Sequence, residues 1–78
     1  EHPDIASILN NLGHLCDLQG RYVEAESHYQ QALILMRKYL GHDHPNIAST
    51  LSNLAGIYQK QERYGEAEDL SQQALATI

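Results

Sequence analysis

Apolar residues recur along this chain at three- and four-residue spacing, the mark of helices that bury one face. The first stripe runs through Ile5, Ile8, Leu9, Leu12, Leu15 and Cys16. Pro3 stands where a helix tolerates proline, at its first position, and Gly20 is placed to take the left-handed conformation that ends many helices. A second stripe follows at Tyr22, Ala25, Tyr29, Ala32, Leu33, Met36 and Leu40, about 19 residues closed by Gly41. Pro45 opens a third helix carrying Ile47, Leu51, Leu54, Ile57 and Tyr58. The fourth carries Tyr64, Ala67, Leu70, Ala74, Leu75 and Ile78. The expected spans are about 3–18, 22–40, 45–60 and 64–78. Such short links make successive helices antiparallel neighbours.

The pattern also repeats. Residues 1–36 set against 43–78 share 18 identities in 36 pairs. His2-Pro3-Asp4-Ile5-Ala6-Ser7 returns as His44-Pro45-Asn46-Ile47-Ala48-Ser49, and Gln30-Gln31-Ala32-Leu33 as Gln72-Gln73-Ala74-Leu75. A fixed period of roughly 20–50 residues signals stacked units with one continuous core. The fold class is therefore all-α: two stacked helix-turn-helix repeats, 1–42 and 43–78, forming four antiparallel helices of an α-solenoid. Small residues recur at matched places, Gly13 with Ala55, Ala25 with Ala67 and Ala32 with Ala74, where they let helix axes approach. Gly13 costs a helix about 1 kcal/mol against alanine, which asks for a packing reason.

Leu12-Gly13, Cys16, Gly20, Tyr22, Ala25, Tyr29 and Ala32 fall at the spacing of the tetratricopeptide signature. Leu54-Ala55, Tyr58, Tyr64, Ala67 and Ala74 repeat it. The chain resembles that family over its whole length. Its 42-residue period, and the junction Leu40-Gly41-His42-Asp43-His44-Pro45, resemble the longer repeats of kinesin light chains and related bacterial proteins. Three departures stand out: Cys16 where the family favours tyrosine, Ser71 where the first copy has Tyr29, and two repeats where about three are usual for stability. The last helix, uncapped, is expected to expose Ala74, Leu75 and Ile78. The chain reads as a piece of a longer array, or as one that stacks on copies of itself.

The resemblance implies a protein–protein interaction module, a scaffold rather than an enzyme, with the first helix of each repeat lining a peptide-binding groove. Carried over position by position, the groove residues are Ser7, Asn10, Asn11, His14 and Asp17, then Ser49, Ser52, Asn53, Gly56, Gln59 and Lys60. Asn11 and Asn53 are the favoured pair, because an amide side chain both donates to and accepts from a peptide backbone. Relatives that hold the acidic C-termini of heat-shock chaperones use lysine and arginine in this groove. Ser7, Asn10, Ser49 and Ser52 stand there instead and lack charge-assisted donors, so a neutral or mixed peptide is expected. Self-association through the last helix is the alternative.

Composition narrows the rest. Ten acids against five Lys and Arg give a net charge of −5, and no basic cluster supplies a nucleic-acid footprint. No apolar run approaches the ~18 residues of a membrane span, and no signal peptide is visible. One cysteine excludes an internal disulfide and fits a reducing, cytoplasmic setting. His42-Asp43-His44 offers two imidazoles and a carboxylate, but helix capping outweighs a metal site there, and no cofactor is expected. Cys16 reads as a buried apolar residue rather than a nucleophile, His14 pointing elsewhere on its helix. The five tyrosines fall mostly at core positions. Glu24, Glu26, Glu66, Glu68 and Asp69 read as a solvated outer face.

Overall fold

The helix pairs are closed by hydrogen-bonded turns whose geometry the sequence half reveals. In the computed structural model, which describes residues 3–41 and 44–77, α1 spans Pro3–Leu18 and α2 spans Tyr22–Tyr39. After α1 the Arg21 N–H donates to the Cys16 carbonyl (2.8 Å) and the Gly20 N–H to that of Asp17 (3.0 Å). This is a Schellman closure, and Gly20 takes the left-handed φ of 75° it requires. Helices α3 (Pro45–Lys60) and α4 (Tyr64–Thr77) are joined the same way, Arg63 N–H to Tyr58 (2.8 Å) and Glu62 N–H to Gln59 (3.0 Å). Here the left-handed position is filled by Glu62, at φ 61°. No strand occurs among the described residues.

Helix α2 is the centre of the packing. It lies against both α1 and α3, α4 backs onto α3, and α1 meets α3 only along a narrow line. Ala25, Tyr29, Ala32, Leu33 and Met36 of α2 are buried, as are Ile47, Ala48, Leu51, Leu54, Ala55, Ile57 and Tyr58 of α3. The small residues do what their recurrence suggests. A Cβ at Gly13 would stand 2.8 Å from Cε1 and 2.9 Å from Cδ1 of Tyr29, so the missing side chain is the seat of that buried ring. Cys16 is buried in the same cluster.

Several expectations are corrected. Of the apolar stripe of α1, Cys16 is buried and Leu9 packs half-buried against the core, but Ile5, Ile8, Leu12 and Leu15 are all exposed; the helix buries Ala6 and Gly13 beside Cys16. On α4, Ala74 is buried against the core while Leu75 is exposed as expected; Ile78 lies outside the described residues. Of the tyrosines, Tyr29 and Tyr58 are core, Tyr22 is half-buried, and Tyr39 and Tyr64 are exposed. His42 and Asp43 lie outside the described residues. Their neighbour His44 caps α3, its Nδ1 accepting the Asn46 N–H at 3.1 Å.

Two stability tests follow from this packing. Gly13→Ala gains helix propensity yet drives a methyl group into a ring with no room to retreat. It is expected to lower stability by about 1–3 kcal/mol, with Gly13→Ala/Tyr29→Leu recovering part of the loss in thermal melts. Glu62→Gly removes a left-handed L-residue and is expected to gain about 1 kcal/mol; a melting temperature that falls would refute that reading of the turn.

Candidate functional site

Helices α1 and α3 present their polar sides next to each other, and two depressions form there. The first, about 200 Å³, is lined by Ser7, Asn10 and Asn11 from α1, Asn46, Ser49 and Thr50 from α3, and Met36 of α2. The second, about 450 Å³, lies along α3 alone, lined by Pro45, Ala48, Ser49, Ser52 and Asn53. Ser49 lines both, so the two adjoin at that residue. Every lining residue is uncharged.

Six of the residues expected from the sequence come together here: Ser7, Asn10, Asn11, Ser49, Ser52 and Asn53. They are not equally available. The Thr50 hydroxyl, fully buried, lies 3.1 Å from Asn10 Oδ1 and 3.5 Å from Met36 Sδ. Asn10 therefore spends its carbonyl oxygen holding α1 to α3. Asn11 and Asn53, by contrast, are exposed. His14, Gln59 and half-exposed Gly56 line neither depression. At the far end of the helix pair Asp17 and Lys60 engage each other, Lys60 Nζ to Asp17 Oδ1 at 2.5 Å, with the ammonium 5.7 Å from the Tyr22 ring centre. Asn46, Thr50 and Met36 were not anticipated. Thr50 did leave a signal, being a polar residue where the first copy has Ile8 in an otherwise apolar frame.

On the other side of α3 a second polar cluster locks α2 in place. Tyr58 donates its phenol hydrogen to Glu26 Oε2 (3.0 Å), and Gln30 Nε2 donates to the Tyr58 oxygen (3.2 Å). Arg63 gives Nη1 to Glu26 Oε1 (2.9 Å) and Nε to Glu66 Oε1 (2.9 Å), and its guanidinium stacks 4.0 Å above the Tyr58 ring. Glu26 is thus a structural anchor and not part of a solvated acidic face. Burial, reinforced by the bond to Glu26, pushes the Tyr58 phenol above its ordinary value, and burial does the same for Tyr29. The Arg63 hydrogen bond holds the Glu66 carboxyl below the usual carboxylate range.

Among the described residues no group of three or more His, Cys, Asp or Glu side chains could hold a metal ion. No described helix is long and apolar enough to cross a membrane. Antiparallel helix pairs stacked at a 42-residue period define a helical-repeat protein. The chain matches the tetratricopeptide repeat family over residues 4–77 and belongs to it; its members are helical scaffolds that serve generally in protein–protein interaction. No curated protein matches the chain.

The phenol shifts set a pH dependence. A group whose folded pKa is raised contributes stability below its unfolded value, about 10 for tyrosine, and loses it as pH climbs through the folded value. The expected result is an alkaline loss of helix in which two of the five tyrosines ionise only as the chain unfolds. Ultraviolet titration alongside circular dichroism checks this; five tyrosines ionising together with helix intact would contradict it.

Proposed function

We propose that this chain holds an extended, largely uncharged segment of a partner protein in the groove lined by α1 and α3, with 1–42 and 43–78 as its two repeat units. The observation that supports this reading is the composition of the groove: two adjoining depressions lined by asparagine, serine and threonine together with Met36, Pro45 and Ala48, with no ionised side chain. Such a surface offers donors and acceptors to a peptide backbone but no charge to fix an acidic terminus. Asn11 and Asn53 occupy equivalent positions of the two copies and are both exposed, so they can grip successive stretches of one peptide. Asn10, bonded to Thr50, supports the groove more than it reads a ligand. The ion pair of Asp17 and Lys60 marks its far end.

The chain acts by binding, not catalysis. Cys16 is buried, and a lone buried thiol fits a reducing compartment such as the cytoplasm. The longer period and the junction before Pro45 keep the likeness to kinesin-light-chain-type repeats.

Selection from a random peptide library, counter-screened against Asn11→Ala/Asn53→Ala, tests the reading. Enriched peptides are expected to be neutral or mixed in charge and to be lost by the double variant. Asn53→Ala alone is expected to weaken the best peptide by about 1 kcal/mol, the worth of one hydrogen bond, with its melting temperature unchanged. Enriched peptides that bind both asparagine variants undiminished would place recognition elsewhere.

A further inference from the structure

The depression between α1 and α3 does not treat donors and acceptors alike. Its inner end is made by Thr50 and Met36, both buried, with Asn10 beside them. The Thr50 hydroxyl donates to Asn10 Oδ1 at 3.1 Å, so the Asn10 carboxamide is held one way round. Its Nδ2 sits on the opposite arm of the group and faces away from Thr50. Holding α1 to α3 thus commits half of the Asn10 side chain and leaves the other half, a donor with two hydrogens, to the depression. Backbone donors at the start of α3 are already taken. The Asn46 N–H donates to His44 Nδ1 at 3.1 Å and the Ile47 N–H to the His44 carbonyl at 2.9 Å. Met36 Sδ is a weak acceptor. Around the mouth stand Ser7, Asn11, Asn46 and Ser49, all exposed, whose side chains both donate and accept.

That distribution selects among side chains. An apolar head would strip water from Asn10 Nδ2 and give no hydrogen bond back. A carboxylate only accepts, so it would satisfy Asn10 but offer nothing to the oxygens of the mouth. No cation among the described lining residues would offset its loss of water, and the chain carries a net charge of −5. A hydroxymethyl group is too small. The depression holds about 200 Å³, the space of several waters at ~30 Å³ each. A carboxamide meets every demand. Its oxygen accepts from Asn10 Nδ2, its hydrogens go to oxygens of the mouth, and its aliphatic stem lies by Met36. This polarity is not a property of the repeat as such. Forty-two residues on from Asn10 stands Ser52, and forty-two back from Thr50 stands Ile8. The bond that orients Asn10 therefore belongs to this one meeting of α1 and α3.

We propose that the partner segment presents a side-chain carboxamide, from glutamine or asparagine, to this depression, read by Asn10 Nδ2 at the inner end and by Ser7 and Asn46 at the mouth. The proposal rests on the groove reading above and adds a choice to it. Asn11 and Asn53 hold the peptide backbone whatever its sequence, whereas the depression selects one residue.

The probes are library peptides that the chain enriches and that Asn11→Ala/Asn53→Ala loses. They are expected to share one glutamine or asparagine position. Replacing that residue by methionine or leucine, close in length but without the amide, or by its acid, is expected to weaken binding about tenfold, the worth of one hydrogen bond, in fluorescence anisotropy titrations. Ser7→Ala/Asn46→Ala is expected to bind the amide and apolar forms alike. Thr50→Val, which frees the Asn10 carboxamide to turn, is expected to do the same. Ser7 and Asn46 are exposed, so the surface variant decides if Thr50→Val melts early. Groove-dependent peptides with no shared amide position overturn the proposal and leave the groove reading standing. So do apolar forms that bind as well as the amide, or a preference that survives Ser7→Ala/Asn46→Ala. Peptides that bind the Asn11/Asn53 variant undiminished, or no enrichment at all, overturn both.

Discussion

Between α2 and α3 two polar anchors flank an apolar seam, and the placement of every other element depends on it. At one end the buried Thr50 hydroxyl meets Asn10 and Met36; at the other Glu26 takes hydrogen bonds from Tyr58 and Arg63. Between them Leu33 and Met36 pack with Ile47, Leu51, Leu54 and Ile57 in one cluster. The apolar part supplies most of the attraction, at roughly 25 cal/mol per Å² removed from water, but it is indifferent to small slides along the helix. The anchors are not, because a buried hydroxyl or half-buried carboxylate moved off its partner keeps its desolvation cost and loses the bond that offsets it. The seam thereby fixes how far α3 is turned from α1. That angle decides whether their polar sides make a groove or face apart.

The groove inherits this precision through Asn10. Its oxygen is held by Thr50, so the α1 wall is tied to the α3 wall by a bond that belongs at once to the core and to the surface. The neighbouring Asn11 and Asn53 are then carried on helices whose spacing is set beneath them. A side-chain amide on a rigid helix needs little further ordering before it meets a peptide, which favours affinity without new contacts. The absence of charge among the lining residues has its own consequence. In the proposed reading, recognition rests on the geometry of neutral hydrogen bonds, and such bonds are weakened little by salt compared with exposed ion pairs.

Much of this was legible in the sequence, and the exceptions share one cause. The four helices and their pairing follow from apolar spacing, and the glycine at the first turn announces its left-handed residue. The buried state of Cys16 and the packing reason for Gly13 were also readable, since both concern contacts inside one helix pair. Periodicity shows which side of a helix is apolar but not whether anything covers it. For that reason Ile5, Ile8, Leu12 and Leu15 passed for core. Ala74 passed for surface because the same spacing does not say how far α3 reaches over α4. Glu26 looked like one more solvated acid, since its partners Tyr58 and Arg63 lie 32 and 37 residues away in sequence. Six of the groove residues could be placed from the family pattern. The uneven availability of Asn10 and Asn11 could not, because it hinges on Thr50.

The differences between the two copies are more informative than their identities. If both repeats served the same neighbours, drift at the packing positions would be conservative and without direction. Instead the first copy exchanges two polar residues of the seam for apolar ones, Ile8 for Thr50 and Cys16 for Tyr58, and puts Leu18 where Lys60 reaches Asp17 of α1. Each exchange removes a group that, in α3, hydrogen-bonds or pairs across to α1 or α2. A face stripped of such anchors still attracts an apolar helix but specifies its register less tightly. Arg21 keeps the fork that Arg63 makes, bonded to Glu24 and Gln19 of its own turn. The exposed stripe of α1 is thus a more apolar counterpart of the α3 face that meets α2.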